Sequence, residues 1–295
     1  MRSVKFFGVV TWVALLVAVL ASGCTALEDQ APQGTASDAE TTLTPARNET
    51  TGETTIETPF TAASETNGGS QGAADSIQGV RFGEHEGYER VVIDFGSQGA
   101  SAAHVPLWAL SSPTGEGYAR ITFPGVDATA ITDGKLGGSI LDNFYVVRAP
   151  GGGMFVDIFA TGAFQYRVTE LSDPGRLVVD YRPASVDLSF PIPAQGEKTV
   201  LFQPRQGEAI TSPLRVSGYS RNLEASNTIT LMDSNGNVLS QSTVLSNDWT
   251  ETWGYFEAQL TFPAFQGQAS LRAGSNSPRD GSFEGVEVPV TYGGG

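Results

Sequence analysis

Beginning at Ser76, the chain is built from short apolar or alternating runs that are separated at close spacing by Gly, Pro, Asn and Asp. Apolar residues in this region do not recur with the period of a helix. Short runs bounded by turn residues are typical of β-strands in sandwiches and barrels. The pattern therefore predicts an all-β fold. About 215 residues follow Asp75, which is enough for two β-sandwich domains of about 100 residues each.

A stretch from residue 183 to residue 198 interrupts the alternation with three prolines and a glycine. Proline cannot donate to a strand ladder, so such a stretch favours a connection over a central strand. We therefore expect a first β domain at residues 76–182, an interdomain linker at 183–198 and a second β domain at 199–292.

The second domain shows seven strand-like runs with turns between them, which is typical of an immunoglobulin-like sandwich. The runs are Thr199–Phe202, Leu214–Tyr219, Thr228–Met232, Val238–Val244, Gly254–Leu260, Ala269–Ala273 and Val286–Thr291. Asn235-Gly236 predicts a hairpin turn between the third and fourth runs. Asp233, Asn235 and Asn237 also have the spacing of a calcium loop, but glycine stands fourth instead of sixth, which favours the turn.

The first residues have the layout of an export signal. Arg2 and Lys5 precede an apolar run at residues 6–21, which is short for a membrane span of roughly 20 residues. The run leads into Leu20-Ala21-Ser22-Gly23-Cys24. This motif resembles the lipobox of bacterial lipoprotein signals.

The lipobox resemblance implies a signal peptide at residues 1–23 and a diacylglyceryl group on Cys24. Two acyl chains are enough for stable anchoring, so the protein is expected at the extracytoplasmic face of the cell membrane. The alternative is an uncleaved signal anchor with an incidental cysteine. Cys24 is the only cysteine in the chain, which excludes an intrachain disulfide.

Residues 24–75 are rich in Thr, Glu, Ala, Ser and Gly, and they contain nine acidic residues and one basic residue, Arg47. Their few large apolar residues show no period, so the segment is predicted to be a disordered spacer. The formal net charge of the whole chain is −15. Because phosphate binding needs clustered Lys and Arg, nucleic acid is not expected as a partner.

One strand motif occurs twice in the first domain. Arg90-Val91-Val92-Ile93-Asp94-Phe95 recurs as Arg176-Leu177-Val178-Val179-Asp180-Tyr181, and Met154–Phe159 is a partial third copy. Alternate residues of a strand share a face. The apolar face of the first copy (Val91, Ile93 and Phe95) is therefore expected in the core, and its other face is expected in solvent.

The repeated motif, together with the segments Val80–Arg90 and Tyr166–Asp180, resembles the AMIN (amidase N-terminal) domain. The resemblance covers nearly all of the first domain. It implies a β-sandwich of two similar sheets that targets a protein to the cell envelope, in several members by binding peptidoglycan. Trp108 and Tyr145 are candidates for stacking on sugar rings, with packing in the core or at its rim as the alternative.

The resemblance makes five residues candidate ligand contacts, namely Tyr88, Arg90, Asp94, Arg176 and Asp180. The guanidinium forks of Arg90 and Arg176 suit the carboxylates of wall peptides, and the ring of Tyr88 suits a sugar. The alternative is that each arginine forms a surface ion pair with the aspartate of its own strand. Such pairs contribute about 0–1 kcal/mol.

The second domain resembles the immunoglobulin-like domain of bacterial spore germination proteins. The matching segments are Pro204–Gly207, Ile210–Gly218, Asn222–Ala225, Asp233–Leu239, Phe256–Phe262 and Ser277–Gly281. The resemblance implies a non-catalytic domain of a kind often found beside another domain in envelope lipoproteins. The α/β domain that usually neighbours it is not found in this sequence.

The sequence lacks the common catalytic motifs. Its two histidines, His85 and His104, are not in an HExxH arrangement, and neither a G-x-S-x-G motif nor a phosphate-binding loop occurs. No enzyme activity, metal or cofactor is therefore expected. A glycosidase needs only two carboxylates, so the sequence alone leaves that class open.

Three functions follow as hypotheses. The first is a lipid-anchored, non-catalytic envelope protein that binds peptidoglycan or another wall glycan through the AMIN-like domain. The second is a scaffold that binds an envelope protein through the immunoglobulin-like domain. The third is a wall hydrolase, which would show turnover that depends on one carboxylate pair.

Overall fold

The computed structural model describes residues 58–113 and 115–293. Cys24 and the spacer residues up to 57 lie outside these ranges. The described chain consists of β-strands and one 3-10 helix, Leu223–Ala225, and it contains no α-helix. In this part of the chain no helix is long and apolar enough to cross a membrane. The all-β prediction is confirmed.

The strands fall into two halves of the chain, residues 58–183 and residues 194–293. The first half contains β1 (Glu65–Gly68), β2 (Ser76–His85), β3 (Tyr88–Ser97), β4 (Ala100–Ser101), β5 (Trp108–Ser111), β6 (Tyr118–Phe123), β7 (Ala128–Thr129), β8 (Asp133–Lys135), β9 (Leu141–Arg148), β10 (Met154–Ala160), β11 (Phe164–Leu171) and β12 (Arg176–Pro183). The second half contains β13 (Ala194–Gln195), β14 (Thr199–Gln203), β15 (Ala209–Ile210), β16 (Leu214–Ser220), β17 (Ser226–Asp233), β18 (Val238–Leu245), β19 (Trp253–Leu260), β20 (Gln268–Asn276) and β21 (Phe283–Tyr292).

These strands form three sheets. The first sheet has the order β11-β12-β3-β2-β7, with β4 paired to β3, and the third sheet has the order β15-β21-β20-β17-β18. Between them the long sheet runs β1-β5-β6-β10-β9-β19-β16-β14-β13, with β8 paired to β9. A short parallel pairing of β9 with β19, Val147 with Trp253 and Arg148 with Gly254, joins the two halves within the long sheet.

Each half is a sandwich with a core of its own. In the first half, the first sheet packs on the long sheet, and Val91, Ile93 and Phe95 are buried in the core, as their alternation predicts. In the second half, the long sheet packs on the third sheet around residues such as Phe256 and Leu271. The prediction of two β-sandwiches is therefore confirmed, although the two share one sheet.

The long sheet folds back on itself. Strands β6 and β14 are five steps apart in it, which corresponds to roughly 24 Å in a flat sheet. The ring centroids of Tyr118 on β6 and Phe202 on β14 are nevertheless only 5.1 Å apart. The outer faces of the two halves therefore face each other and enclose a third core, which we call the seam. The buried seam residues are Tyr118, Tyr145, Val147, Ala149, Phe155, Phe159, Val200, Phe202, Tyr219 and Trp253.

An ion pair is buried in the seam. Nε and Nη2 of Arg120 donate to the two carboxylate oxygens of Asp157 at 2.8 and 2.7 Å. The Asp157 side chain is fully buried, and the Arg120 guanidinium lies over the ring of Phe155, 4.0 Å from its centroid. Burial raises the pKa of Asp157, and the contact with Arg120 opposes that shift. The burial of the Arg120–Asp157 pair therefore depends on the packing of the two halves against each other.

The predicted disordered spacer extends too far, because residues 58–75 are part of the fold. Strand β1 pairs with β5, Thr61 forms a bridge to Tyr166, and Ala74 is buried in the core. Backbone hydrogen bonds hold this segment, and the Gly69 amide adds a bond to the Glu170 carboxylate at 2.8 Å. A strand held in this way needs few apolar residues, so composition does not reveal it.

The second half follows its predicted strands closely. All seven predicted runs are strands, with ends that differ by a few residues. In addition, β13 lies inside the predicted linker and pairs with β14. Asn235 and Gly236 form the hairpin turn, where the Asp233 carboxylate accepts hydrogen bonds from the amides of Asn235 and Asn237. The Asp233 carboxylate therefore stabilises the turn by accepting these two hydrogen bonds.

Candidate ligand-binding face

The outer surface of the first sheet concentrates positive charge. Residues directly opposite each other on antiparallel strands share a face, and the register puts the arginines of four strands on the side away from the core. We call this surface the arginine face. Its arginines are Arg81 on β2, Arg90 on β3, Arg167 on β11, and Arg176 and Arg182 on β12.

Asp180 is the centre of the arginine face. Arg90 donates to both of its carboxylate oxygens at 2.6 and 2.9 Å from one side, and Nε of Arg167 donates at 2.7 Å from the other. The Asp180 side chain is only 3% exposed, although its strand face is the outer one. Burial raises the pKa of Asp180, but the hydrogen bonds from Arg90 and Arg167 outweigh it and leave the pKa below its ordinary value.

Two aromatic rings lie among the arginines. The Arg167 guanidinium is 4.8 Å from the ring centroid of Phe60 and 5.1 Å from that of Tyr88. Arg182 also lies over Phe60, at 4.5 Å, and the ring of His85 stacks on Tyr88 with centroids 4.7 Å apart. Cation–π contacts of this kind hold guanidinium groups flat and in place.

The arginine face has more cations than anions. It carries two aspartates, Asp180 and Asp94, and Asp94 accepts a bidentate pair from Arg81 at 2.6 and 2.7 Å. Within the described ranges, neither Arg176 nor Arg182 forms an ion pair with a carboxylate. Arg176 donates to the Pro174 carbonyl and Arg182 to the Gln165 amide oxygen. Both guanidinium groups are therefore available to an anionic ligand.

All five candidate residues from the sequence lie on this one face, but the alternative that each arginine pairs with the aspartate of its own strand is wrong. Arginine and aspartate of the same strand do not pair: Arg90 binds Asp180 of the neighbouring strand, and Arg81 binds Asp94. Residues four apart on a strand are separated by roughly 13 Å. Side chains directly opposite across two strands are about 5 Å apart, so the cross-strand pairs form instead.

Sequence reasoning missed Arg81, Arg167, Arg182 and Phe60. The three arginines were detectable in principle, because each continues the two-residue period of its strand on the solvent side. Phe60 was not detectable, because it belongs to a segment whose composition indicates a spacer.

Trp108 and Tyr145 are core residues. Trp108 is 6% exposed and donates its indole N–H to Glu170 at 2.8 Å. Tyr145 is buried in the seam beside Trp253, with ring centroids 4.8 Å apart. Neither ring can stack on a sugar in this structure. Of the three aromatic candidates, only Tyr88 remains half-exposed on the arginine face.

Among the described residues, no cluster of three or more His, Cys, Asp or Glu side chains could hold a metal ion.

Comparison with known proteins assigns part of the second half. Residues 199–282 match the immunoglobulin-like domain of bacterial spore germination. This immunoglobulin-like domain contains most of the third sheet and the second part of the long sheet, and the resemblance of the second domain is thereby confirmed. Neither a curated protein nor a solved structure matches the chain.

Proposed function

We propose that this chain is a non-catalytic cell-envelope protein, anchored by lipid on Cys24, whose arginine face binds the carboxylates of peptidoglycan. The observation that carries the proposal is the placement of five arginines and two aspartates on one sheet face. The chain as a whole has a formal net charge of −15. The face is therefore a local exception to the charge of the protein.

The chemistry of the face suits carboxylate ligands. A guanidinium group can donate two parallel hydrogen bonds to one carboxylate, and Arg176 and Arg182 have no carboxylate partner among the described residues. Phe60 and Tyr88 hold the guanidinium groups of Arg167 and Arg182 by cation–π contacts. The AMIN-like motif of β3 and β12 supports the same ligand, since several members of that family bind peptidoglycan.

Binding to isolated sacculi tests the proposal. The full-length protein, purified in mild detergent, is expected to co-sediment with sacculi, and the bound fraction should fall as salt screens the charges. Arg176→Ala combined with Arg182→Ala should bind less, because it removes the two arginines without a carboxylate partner.

The matched control is Arg272→Ala with Arg279→Ala, which removes two arginines of the second half. It should bind like the wild type. Equal sedimentation of the two double variants would exclude the arginine face as the binding surface.

The anchor is tested separately. Cys24→Ala should move the protein from the membrane fraction to the soluble fraction, since its acyl chains supply the attachment. A Cys24→Ala protein that stays with the membrane, together with a wild-type protein that is found unprocessed, would support the uncleaved signal anchor instead.

A second candidate function is protein binding by the immunoglobulin-like domain. Its edge strand β18 leaves one side of its backbone unpaired in the third sheet, and Val238 and Leu245 at the ends of this strand are 57% and 66% exposed. Exposed edges of this kind pair with other chains. Crosslinking that captures one stoichiometric partner, lost in Val238→Asp with Leu245→Asp and accompanied by no sacculus binding, would favour this function.

A further inference from the structure

A cavity of about 660 Å³ opens at one end of the seam, on the opposite side of the first sandwich from the arginine face. Its walls come from both halves: Tyr118 and Arg120 on β6, Phe202 on β14, and Tyr255 on β19. Small-molecule sites have volumes of about 300–1,000 Å³ and combine apolar walls with a few fixed polar groups. The cavity therefore has the size and the composition of a ligand site.

Aromatic rings form the apolar part of the cavity. Tyr118 and Phe202 meet edge to face at its base, and each is 8% exposed. Tyr255 is half-buried in the wall, and Phe190, which is 53% exposed, stands at the opening. At this position the ring of Phe190 can cover a bound molecule.

Every arginine of the cavity is neutralised by a carboxylate. Arg120 is held by Asp157, Arg205 binds Glu116 at 2.8 Å, and Arg215 binds Glu257 at 2.7 Å. Arg205 is fixed further by a hydrogen bond to the Pro191 carbonyl at 2.8 Å. The polar groups are thus held by ion pairs and offer both donors and acceptors, and together with Glu208 they present no excess of positive charge to a ligand.

We infer that this cavity binds an uncharged carbohydrate of a few sugar units. The C–H faces of a sugar ring pack on aromatic rings, whose faces carry negative partial charge. Its hydroxyl groups both donate and accept, which matches fixed guanidinium and carboxylate groups side by side. An anionic ligand would find no excess of positive charge here, because Glu208 adds a further carboxylate to the lining. A purely apolar ligand would remove water from the ion pairs without offering them hydrogen bonds.

The inference goes beyond the proposed function and does not depend on it, because the arginine face and the cavity are separate surfaces. Chitotriose is a suitable probe, since it carries hydroxyl and acetamido groups and no carboxylate. The full-length protein in mild detergent is titrated with chitotriose and with maltotriose, and binding is followed by saturation-transfer difference NMR.

Binding of at least one of the two trisaccharides is expected, with saturation transfer strongest at the sugar C–H groups. Phe190→Ala and Tyr255→Ala should each weaken it at least about fivefold, the loss expected for one stacking ring. Phe283→Ala removes a comparably exposed ring of the third sheet and should bind like the wild type, as should Arg176→Ala with Arg182→Ala.

The inference would be overturned if neither chitotriose nor maltotriose binds up to millimolar concentration. It would also be overturned by binding that Phe190→Ala and Tyr255→Ala leave unchanged, or by a cavity that takes a short uncharged peptide and neither sugar. If Arg176→Ala with Arg182→Ala loses sacculus binding but the wild type binds neither trisaccharide, only the cavity inference is refuted. If the wild type binds a trisaccharide but the arginine-face variant keeps its sacculus binding, only the proposed function is refuted.

Discussion

The first sheet and the long sheet each carry an arginine–aspartate pair that bridges two strands on the face away from the core they share. On the first sheet, Asp180 binds Arg90 and the surface remains open to solvent on the arginine side. On the long sheet, Asp157 binds Arg120, and the second half of the molecule covers Asp157 completely and Arg120 in large part. Both aspartates belong to copies of one strand motif. The same type of arginine–aspartate pair therefore occurs once on an outer surface and once in the seam.

The two environments shift the pKa of the aspartates in opposite directions. For Asp180, burial is outweighed by two arginine donors, and the pKa is lowered. For Asp157, burial outweighs a single arginine, and the pKa is raised. The comparison teaches that an open pair can support a binding surface without destabilising the fold. A covered pair mainly penalises any arrangement of the two halves that separates it.

The largest effect is expected in the seam. Asp157→Ala leaves the Arg120 guanidinium buried without its partner, which should destabilise the protein by about 3–5 kcal/mol. Asp157→Leu combined with Arg120→Leu removes the unpaired charge and should recover most of that loss. Chemical denaturation of the three proteins measures the difference. A double variant as unstable as Asp157→Ala would show that the charge is not the cause.

On the open face, Asp180→Asn should destabilise by about 1–3 kcal/mol. The loss is smaller because asparagine keeps one oxygen that can accept a hydrogen bond from Arg90 or Arg167, whereas alanine at position 157 leaves Arg120 with no acceptor there. The same denaturation experiment measures it. If Asp180→Asn is as damaging as Asp157→Ala, the open and covered pairs are energetically alike and the comparison fails.

Acidification should change the contributions of the two pairs to the free energy of unfolding in opposite directions. The folded-state pKa of Asp180 lies below its unfolded value of about 3.9, so its contribution to stability is present above that pH and is lost as pH falls through the folded pKa. Asp180→Asn should therefore lose less stability in acid than the wild type. The pKa of Asp157 is raised, so its ionisation works against folding as pH rises.

Arg120→Leu with Asp157→Leu should accordingly lose more stability on acidification than the wild type. Unfolding curves between neutral pH and about pH 3 measure both slopes. Slopes that change in the same direction in the two variants would refute the opposite shifts.

The smallest effect on stability is expected for Arg176→Ala with Arg182→Ala. These side chains form no ion pair with a described carboxylate, and surface substitutions of this kind usually stay within about 0.5 kcal/mol. Thermal unfolding should match the wild type while sacculus binding falls. A large loss of stability would mean that the arginine face serves the fold and not a ligand.

The sequence predicted the parts of this molecule that depend on local periodicity. The alternation of Val91, Ile93 and Phe95 identified a core face, and seven runs of the second half became strands, because each strand buries its own alternate residues. The strand β1 (Glu65–Gly68) was missed, since hydrogen bonds to β5 hold a polar segment that buries little. The cross-strand ion pairs Arg90–Asp180 and Arg81–Asp94 were also missed. Strands that are neighbours in a sheet need not be neighbours in the sequence, so the sequence does not show which residues lie opposite each other.

By itself, the sequence determined that this protein is all-β, where the main strands of the second half lie, and which residues of a strand such as β3 face a core. Those properties follow from a two-residue period that every strand carries locally. Only the tertiary structure decided that five arginines share one face and that Tyr145 and Trp253 meet in a seam. It also decided that the second half of the chain packs over the Arg120–Asp157 pair, while the Arg90–Asp180 pair lies on the outer surface of the first sheet. Which face of a sheet is covered depends on residues far away in the sequence, such as Phe202 against Tyr118, and no local pattern encodes that.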